Sequence, residues 1–149
     1  MFDINNDGKV DTIYTNNKPE IVVSNHQEEK ESIKGSLYAY ELTPGGSISN
    51  PWTRHVLATG QFHVLQKGIK AAAPGLPVAF YPDLKNRNTK PLVALAGDAS
   101  RWAYILVPRS ENPDNWEYEA VPFHNCESTV GGIAVGDVDG NFGTYLIFR

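Results

Sequence analysis

The stretch Lys-Pro-Glu-Ile-Val-Val at residues 18–23 returns as Lys-Pro-Leu-Val-Ala-Leu at residues 90–95. Two further segments recur in the same order. They pair Ser-Leu-Tyr-Ala-Tyr-Glu-Leu at 36–42 with Arg-Trp-Ala-Tyr-Ile-Leu-Val at 101–107, and Pro-Trp-Thr-Arg-His-Val-Leu at 51–57 with Asn-Trp-Glu-Tyr-Glu-Ala-Val at 115–121. Three matches in one order indicate an internal repeat, and a repeat decides the fold class before any single element does.

Each repeated segment is short, rich in β-branched and aromatic residues, and bounded by Gly, Pro, Asn or Ser. This composition is typical of β-strands. A further strand precedes the second Lys-Pro segment at 76–81, and residues 132–136 open a third repeat. We therefore predict an all-β chain whose repeat has four strands, A to D. Repeat 1 spans about 1–60, repeat 2 about 76–123, and the start of repeat 3 about 131–149.

A four-stranded repeat of this length has the size of a β-propeller blade. We predict about two four-stranded antiparallel blades, which form a single partial β-propeller domain over residues 1–149. Closed propellers have about four to eight blades. We therefore expect a piece of a longer protein, whose remaining blades complete the ring, or open edges that pair with another protomer.

Composition excludes several classes of partner. The net charge of −4 and the pI near 5.5 provide no basic field for a phosphate backbone, so no nucleic-acid partner is expected. No apolar run approaches the roughly 18 residues that a membrane span needs. The single cysteine, Cys126, excludes an internal disulfide framework. The first residues lack the basic and apolar regions of a secretory signal, so we expect the signal of an exported protein to lie upstream or to have been removed.

The segment at residues 3–11 reads D-x-N-x-D-G-x-x-D and predicts a calcium loop. Calcium takes about six to eight oxygen ligands, and alternating oxygen-bearing side chains in a tight turn can converge on one ion. The glycine at position six permits the chain reversal. The predicted ligands are Asp3, Asn5, Asp7, the backbone carbonyl of Lys9, and Asp11. The alternative is an Asn/Asp/Gly turn that binds no metal.

A second segment, at residues 137–145, begins in the same way with Asp137, Asp139 and Asn141. It departs where the first loop has glycine and its last aspartate, since Phe142 and Tyr145 stand there. We predict a weaker metal site in this loop. The corresponding loop of the middle repeat, 82–89, carries basic residues and one carboxylate, and we expect a plain turn without metal.

Together, the calcium loop, the Pro-Glu-Ile-Val-Val strand and the Trp-x-x-His-x-Leu segment at 52–57 resemble the FG-GAP or VCBS-type repeats of β-propellers. That family includes integrin-type ectodomains, lectins, polysaccharide-lyase-like proteins and a sugar dehydratase. The resemblance implies structural calcium, an extracellular or exported location, and carbohydrate as the ligand class. It does not choose a reaction, because one fold hosts many functions.

In such a blade the B-to-C and D-to-A connections share the face opposite the calcium loops, and long loops on a rigid scaffold usually carry binding. The longest connections of this kind, 24–35 and 59–75, contain the candidate ligand-binding residues His26, His63 and Lys67. The candidate catalytic residues are His26, His63 and His124, the last of which is expected in the D-to-A loop of the next repeat. For each of them the alternative is an ordinary solvent-facing side chain. His55, within a strand, is expected to pack between blades.

Our leading hypothesis is a calcium-stabilised binding module with carbohydrate as its ligand. The alternative is the propeller portion of a carbohydrate-active lyase or dehydratase whose active site uses the loop histidines. A third hypothesis is a scaffold with no small ligand. The sequence has no G-x-S-x-G nucleophile elbow and no phosphate-binding loop, so no reaction is assigned and the question of enzymatic activity is left open.

Overall fold

The fold was analysed in a computed structural model, which describes residues 3–9, 11–16, 36–41, 49–62, 75–83, 87–98, 100–128, 130–140 and 144–148. These residues contain nine β-strands and no helix, so none of them forms a helix able to cross a membrane. The strands are β1 (Asp11–Asn16), β2 (Ser36–Glu41), β3 (Thr53–Thr59), β4 (Pro77–Phe80), β5 (Leu92–Ala96), β6 (Trp102–Pro108), β7 (Tyr118–Asn125), β8 (Ile133–Gly136) and β9 (Tyr145–Phe148). The prediction of an all-β class is confirmed.

The strands form three antiparallel sheets in which each strand pairs with its neighbour in sequence. The first sheet has the order β1-β2-β3, the second β4-β5-β6-β7, and the third β8-β9. The second sheet therefore has the four strands and the order predicted for repeat 2. Irregularities in strand register occur in the equivalent pairings of β2 with β3 and of β6 with β7, where they fall at 37–38 and 103–104. Both irregularities lie near the start of the strand that pairs with the last strand of its sheet.

The strand that pairs with β2 begins earlier in the chain than predicted. The predicted strand at 18–23 lies outside the described residues, and the strand that pairs with β2 is β1, which starts at Asp11. The run Asp-Thr-Ile-Tyr-Thr-Asn has three β-branched residues and one aromatic residue at its centre, which suits a strand. In the third sheet β9 follows the second aspartate loop in the same manner, a strand that the sequence analysis did not identify.

The last strand of the second sheet begins later than predicted. Arg109 donates its N–H to the carbonyl of Glu117 at 2.9 Å, and Asn115 donates to the carbonyl of Asn112 at 3.0 Å. These bonds close the β6–β7 turn through residue 117, so Trp116 precedes β7 instead of lying within it. The shift corrects the location of His124, which was expected in a loop and instead lies in β7.

Strand β5 of the second sheet is buried on both faces. Val93 and Leu95 of β5 belong to an apolar cluster shared with Leu37 and Leu57 of the first sheet. The alternate residues Ala94 and Ala96 belong to a second cluster, which contains Ile133 and, at its margin, Leu146 of the third sheet. Since successive strand residues point to opposite faces, β5 packs on both neighbouring sheets at once. The three sheets thus stack face to face in the order of the chain.

Tyr118 joins the two larger sheets at the start of β7. Its side chain is almost fully buried, and its hydroxyl lies 2.9 Å from the carbonyl oxygen of Ile4 and 3.1 Å from that of Pro91. Burial raises the pKa of this phenol above its usual value, so the hydroxyl stays protonated and can donate. Ile4 precedes β1 and Pro91 precedes β5. One buried hydroxyl therefore links the segment before β1 in the first sheet to the segment before β5 in the second.

We predict that Tyr118→Phe lowers the free energy of unfolding by about 1–2 kcal/mol, because two buried carbonyl oxygens lose their common donor. Urea denaturation followed by circular dichroism would measure the change. The matched control is Tyr145→Phe, whose hydroxyl contacts Asp139 at the exposed surface and whose loss should change stability by less than about 0.5 kcal/mol. Equal losses in the two variants would contradict this role for Tyr118.

Candidate metal centre

The loop before β1 reverses the chain in a short distance. Asn6 and Gly8 have positive φ angles of 61° and 86°, a backbone conformation that asparagine and glycine tolerate best. Ile4 inserts its side chain, with no exposed surface, into the apolar cluster shared by the first two sheets. The loop is therefore held against the core at one end and enters β1 at the other.

Two aspartates hold this loop together with their carboxylates. Asp3 accepts the N–H of Asp7 at 2.9 Å and the N–H of Gly8 at 2.7 Å. Asp11, at the start of β1, accepts the N–H of Ile4 through Oδ2 at 2.8 Å. These bonds turn the backbone around the interior of the loop, and they leave each carboxylate with further lone pairs.

Two oxygens of the predicted ligand set are buried without a hydrogen-bond partner. Asn5 is 5% exposed and Asp11 is 1% exposed, and neither Asn5 Oδ1 nor Asp11 Oδ1 has a partner. Asn5 Nδ2 donates to the carbonyl of Pro113 at 3.1 Å, which fixes the orientation of the amide and directs Oδ1 elsewhere. A buried polar atom without a partner costs about 1–3 kcal/mol. These two oxygens therefore need a cation or another donor.

The charge of Asp11 is unfavourable in this environment. Burial raises the pKa of its carboxyl to about 6, and the neighbouring carboxylates of Asp3, Asp7 and Glu41 act in the same direction. The hydrogen bond from the Ile4 N–H opposes the rise. At neutral pH the carboxylate is thus ionised at a position that disfavours its charge. A bound cation would offset both the burial and the repulsion.

Lys9 directs its ammonium group toward two carboxylates. Its Nζ lies 2.7 Å from Asp7 Oδ2 and 2.9 Å from Glu41 Oε1, while its backbone N–H donates to Asp7 Oδ1 at 2.9 Å. Burial alone would raise the pKa of Asp7, but hydrogen bonds from Lys9 and Asn5 hold it below its usual value. Bonds to Asp7 and Glu41 raise the pKa of Lys9. Glu41 was not identified from the sequence, because only the β1–β2 register brings it opposite Asp11.

This network extends from the loop to the second sheet. Glu41 Oε2 lies 3.0 Å from His55 Nε2, and the His55 ring stacks on Trp116 with ring centroids 3.7 Å apart and planes 5° from parallel. The ring of His55, which was expected to pack between blades, thus lies between the first sheet and the residues that lead into β7. Loop, first sheet and second sheet are therefore connected by continuous polar and aromatic contacts.

Within the described part of the chain, no three His, Cys, Asp or Glu side chains converge as a ready-made metal cluster. The hydrogen bonds account for this, since the carboxylate of Asp3 holds backbone N–H groups and that of Asp7 holds Lys9. The oxygens without partners belong instead to Asn5 and Asp11. These two are an amide oxygen and a carboxylate oxygen, which are donors that hard cations accept.

The second predicted loop is built differently. Asp137 Oδ1 accepts the N–H of Gly140 at 2.8 Å, and the Tyr145 hydroxyl donates to Asp139 Oδ2 at 2.6 Å. Asp137 and Asp139 are both exposed, and Asn141 lies outside the described residues. Tyr145 holds the position that Asp11 has in the first loop. A phenol thus replaces the last carboxylate and satisfies one that remains.

The opposite end of the sheets contains the β5–β6 and β7–β8 connections. The Asp98 N–H donates to the carbonyl of Val130 at 3.2 Å, and the Cys126 N–H donates to that of Arg101 at 2.9 Å. His124 lies close by in β7, exposed and opposite Ala103. His26, His63 and Lys67 lie outside the described residues. Of the three candidate catalytic histidines, the described residues therefore include only His124, which lies in β7 and not in a long loop.

No family model, curated protein sequence or solved structure matches this chain. The chemistry of the loop is therefore inferred from its own geometry. That geometry combines three aspartates, a buried amide oxygen and a network that reaches the second sheet.

We predict that Asp11→Asn stabilises the metal-free protein by about 1–2 kcal/mol, because it removes a buried charge among like charges and keeps an acceptor for the Ile4 N–H. Urea denaturation in the presence of a chelator would measure this gain. Asp137→Asn, which changes an exposed aspartate in the β8–β9 loop, is the matched control and should have little effect. If Asp11→Asn instead lowered the free energy of unfolding of the metal-free protein, the charge of Asp11 would not be destabilising.

Proposed function

We propose that this chain is a calcium-stabilised β-propeller module of the FG-GAP or VCBS type. Asp3, Asn5, Asp7, the Lys9 carbonyl and Asp11 would hold a structural calcium ion. The observation that carries the proposal is the pair of buried oxygens, Asn5 Oδ1 and Asp11 Oδ1, which have no hydrogen-bond partner. A bound cation would coordinate both oxygens, and its charge would offset the repulsion among the aspartates.

The chemistry of the donors favours calcium over a softer metal. All proposed ligands are oxygens, with neither an imidazole nor a thiol among them, whereas zinc sites in proteins use mainly histidine and cysteine. Calcium also accepts mixed carboxylate, amide and backbone donors. The loop of Asp137, Asp139 and Asn141 remains the weaker candidate, because Tyr145 donates to Asp139.

The propeller assignment is supported by how the sheets stack. The first strands of successive sheets lie near one another, with β1 close to β4 and β4 close to β8, and the last strands β3 and β7 are also in contact. Sheets that stack in the order of the chain, with β5 buried on both faces, are what radially arranged blades require. Further blades, in the same chain or in another protomer, would then complete the ring.

In this proposal calcium contributes stability and the ligand binds at the other end of the sheets. Three non-glycine residues there, Asp98, Arg101 and Glu127, have positive φ angles of 43°, 58° and 56°. Sparsely populated backbone conformations cluster at functional sites. Carbohydrate is proposed as the ligand from the family resemblance. An exported location suits this, since extracellular calcium modules bind the ion with Kd values of about 10⁻⁴–10⁻³ M.

We predict that calcium raises the thermal midpoint of the protein and that a chelator reverses the rise. A ligand at about 100 times its Kd adds about 2.7 kcal/mol to the free energy of unfolding. Differential scanning calorimetry with calcium chloride, magnesium chloride or chelator would measure the response. It should disappear in Asp11→Asn and persist in Asp137→Asn. Identical midpoints with calcium and with chelator would refute the calcium proposal.

We also predict that the intact protein binds carbohydrates through the end of the sheets that contains His124. A glycan array, probed with wild type and with His124→Ala, would test this prediction, and weaker binding by the variant is expected. Because the calcium loop lies at the opposite end, Asn5→Ala should affect binding only as far as it affects folding. Absence of any glycan binding by the folded, calcium-loaded protein would remove the carbohydrate assignment and leave the calcium proposal intact.

A further inference from the structure

Asp7 is engaged by a cation that belongs to the protein itself. The backbone N–H of Lys9 donates to Asp7 Oδ1, and the Lys9 ammonium lies 2.7 Å from Asp7 Oδ2. Both oxygens of a proposed calcium ligand therefore face the same lysine. The same ammonium also contacts Glu41 Oε1 at 2.9 Å, so it has a second anionic partner outside the loop.

We propose that Lys9 is a tethered cation that competes with calcium for Asp7, and that Glu41 retains the ammonium group when Asp7 turns to the metal. This inference rests on the proposed calcium site, whose independent support is the unpartnered oxygens of Asn5 and Asp11. Lys9 is thus a regulator of ion affinity, and Glu41 is a positioning residue that acts through it.

The two carboxylates differ in how firmly they are held. Glu41 lies at the end of β2, opposite Asp11 in the register, and its second oxygen contacts His55, which is stacked on Trp116. Its side chain is 16% exposed, whereas that of Lys9 is 39% exposed. Glu41 is therefore a fixed acceptor beside a side chain that has room to move. The ammonium can leave Asp7 and keep an ionic partner.

The sign of each substitution follows from this geometry. Removing the ammonium frees Asp7 and removes a positive charge that repels the incoming ion, so calcium should bind more tightly. Removing the charge of Glu41 leaves Asp7 as the only carboxylate in contact with the ammonium, so calcium should bind more weakly. If Glu41 acts through Lys9, its removal should have little effect once Lys9 is gone.

Calorimetric titration of the full chain with calcium chloride tests the proposal. Partly exposed ion pairs contribute about 0.2–1 kcal/mol, which corresponds to changes of up to about fivefold in Kd. We expect Lys9→Met to tighten binding about two- to fivefold and Glu41→Gln to weaken it by a similar factor. The double variant should bind like Lys9→Met. Lys9→Gln serves as a second variant if Lys9→Met folds poorly.

Two controls separate local competition from net charge. Lys9→Arg keeps the positive charge and should bind calcium within about twofold of wild type. Arg109→Met removes an exposed cation that contacts Glu119 on the second sheet, and it should also leave calcium affinity within about twofold, because that cation is paired with Glu119 and not with Asp7 or Glu41.

The outcomes distinguish this inference from the calcium proposal. If wild type binds calcium but Lys9→Met binds it no more tightly, competition by Lys9 is refuted and the calcium site stands. If neither protein binds calcium, both proposals fall. If only Lys9→Met binds, the ammonium blocks the site outright and the competition is supported. An equal loss from Glu41→Gln with and without Lys9 would show that Glu41 acts on the ion directly.

Discussion

The packing of the first sheet on the second is the interaction on which the rest of this structure depends. One apolar cluster contains Leu37 and Leu57 from the first sheet and Val93 and Leu95 from the second, together with Ile4 from the loop before β1. Burial of apolar surface is the dominant favourable term in folding. Here it also determines where the polar loop lies, because Ile4 cannot enter the cluster unless the backbone on either side follows it.

Burial of that loop creates the electrostatic conditions of the candidate site. Asn5 and Asp11 lose water because they flank or follow the Ile4 anchor, and one oxygen of each is left without a partner. The cost is tolerable where other contacts compensate, and several do. Tyr118 satisfies the carbonyl of Ile4, Asn5 donates to Pro113, and Lys9 forms ion pairs with Asp7 and Glu41. The loop is thereby constrained from both sheets while two of its oxygens remain available.

The two aspartate loops show that a shared motif does not imply a shared site. Both begin Asp-x-Asx, yet the first is held by Ile4 in the core, whereas Asp137 and Asp139 are exposed. At the last motif position the first loop has a buried carboxylate and the second has Tyr145, whose hydroxyl satisfies Asp139. The departure was visible in the sequence. Its consequence, a hydrogen bond from the Tyr145 phenol to the carboxylate of Asp139, was visible only in three dimensions.

By itself, the sequence determined the all-β class, the four-stranded order of the second sheet and the aspartate loop, since strand composition and turn chemistry are local properties. Tertiary structure decided the start of β1 at Asp11, the location of His124 within β7 and the part played by Glu41. Those features depend on strand register and on packing between sheets, which join residues far apart in the chain. Asp11 and Glu41 are thirty positions apart in sequence, yet they face each other in one register pair. No local pattern encodes such a contact, because it arises only when the free energy of burying two sheets together selects one alignment.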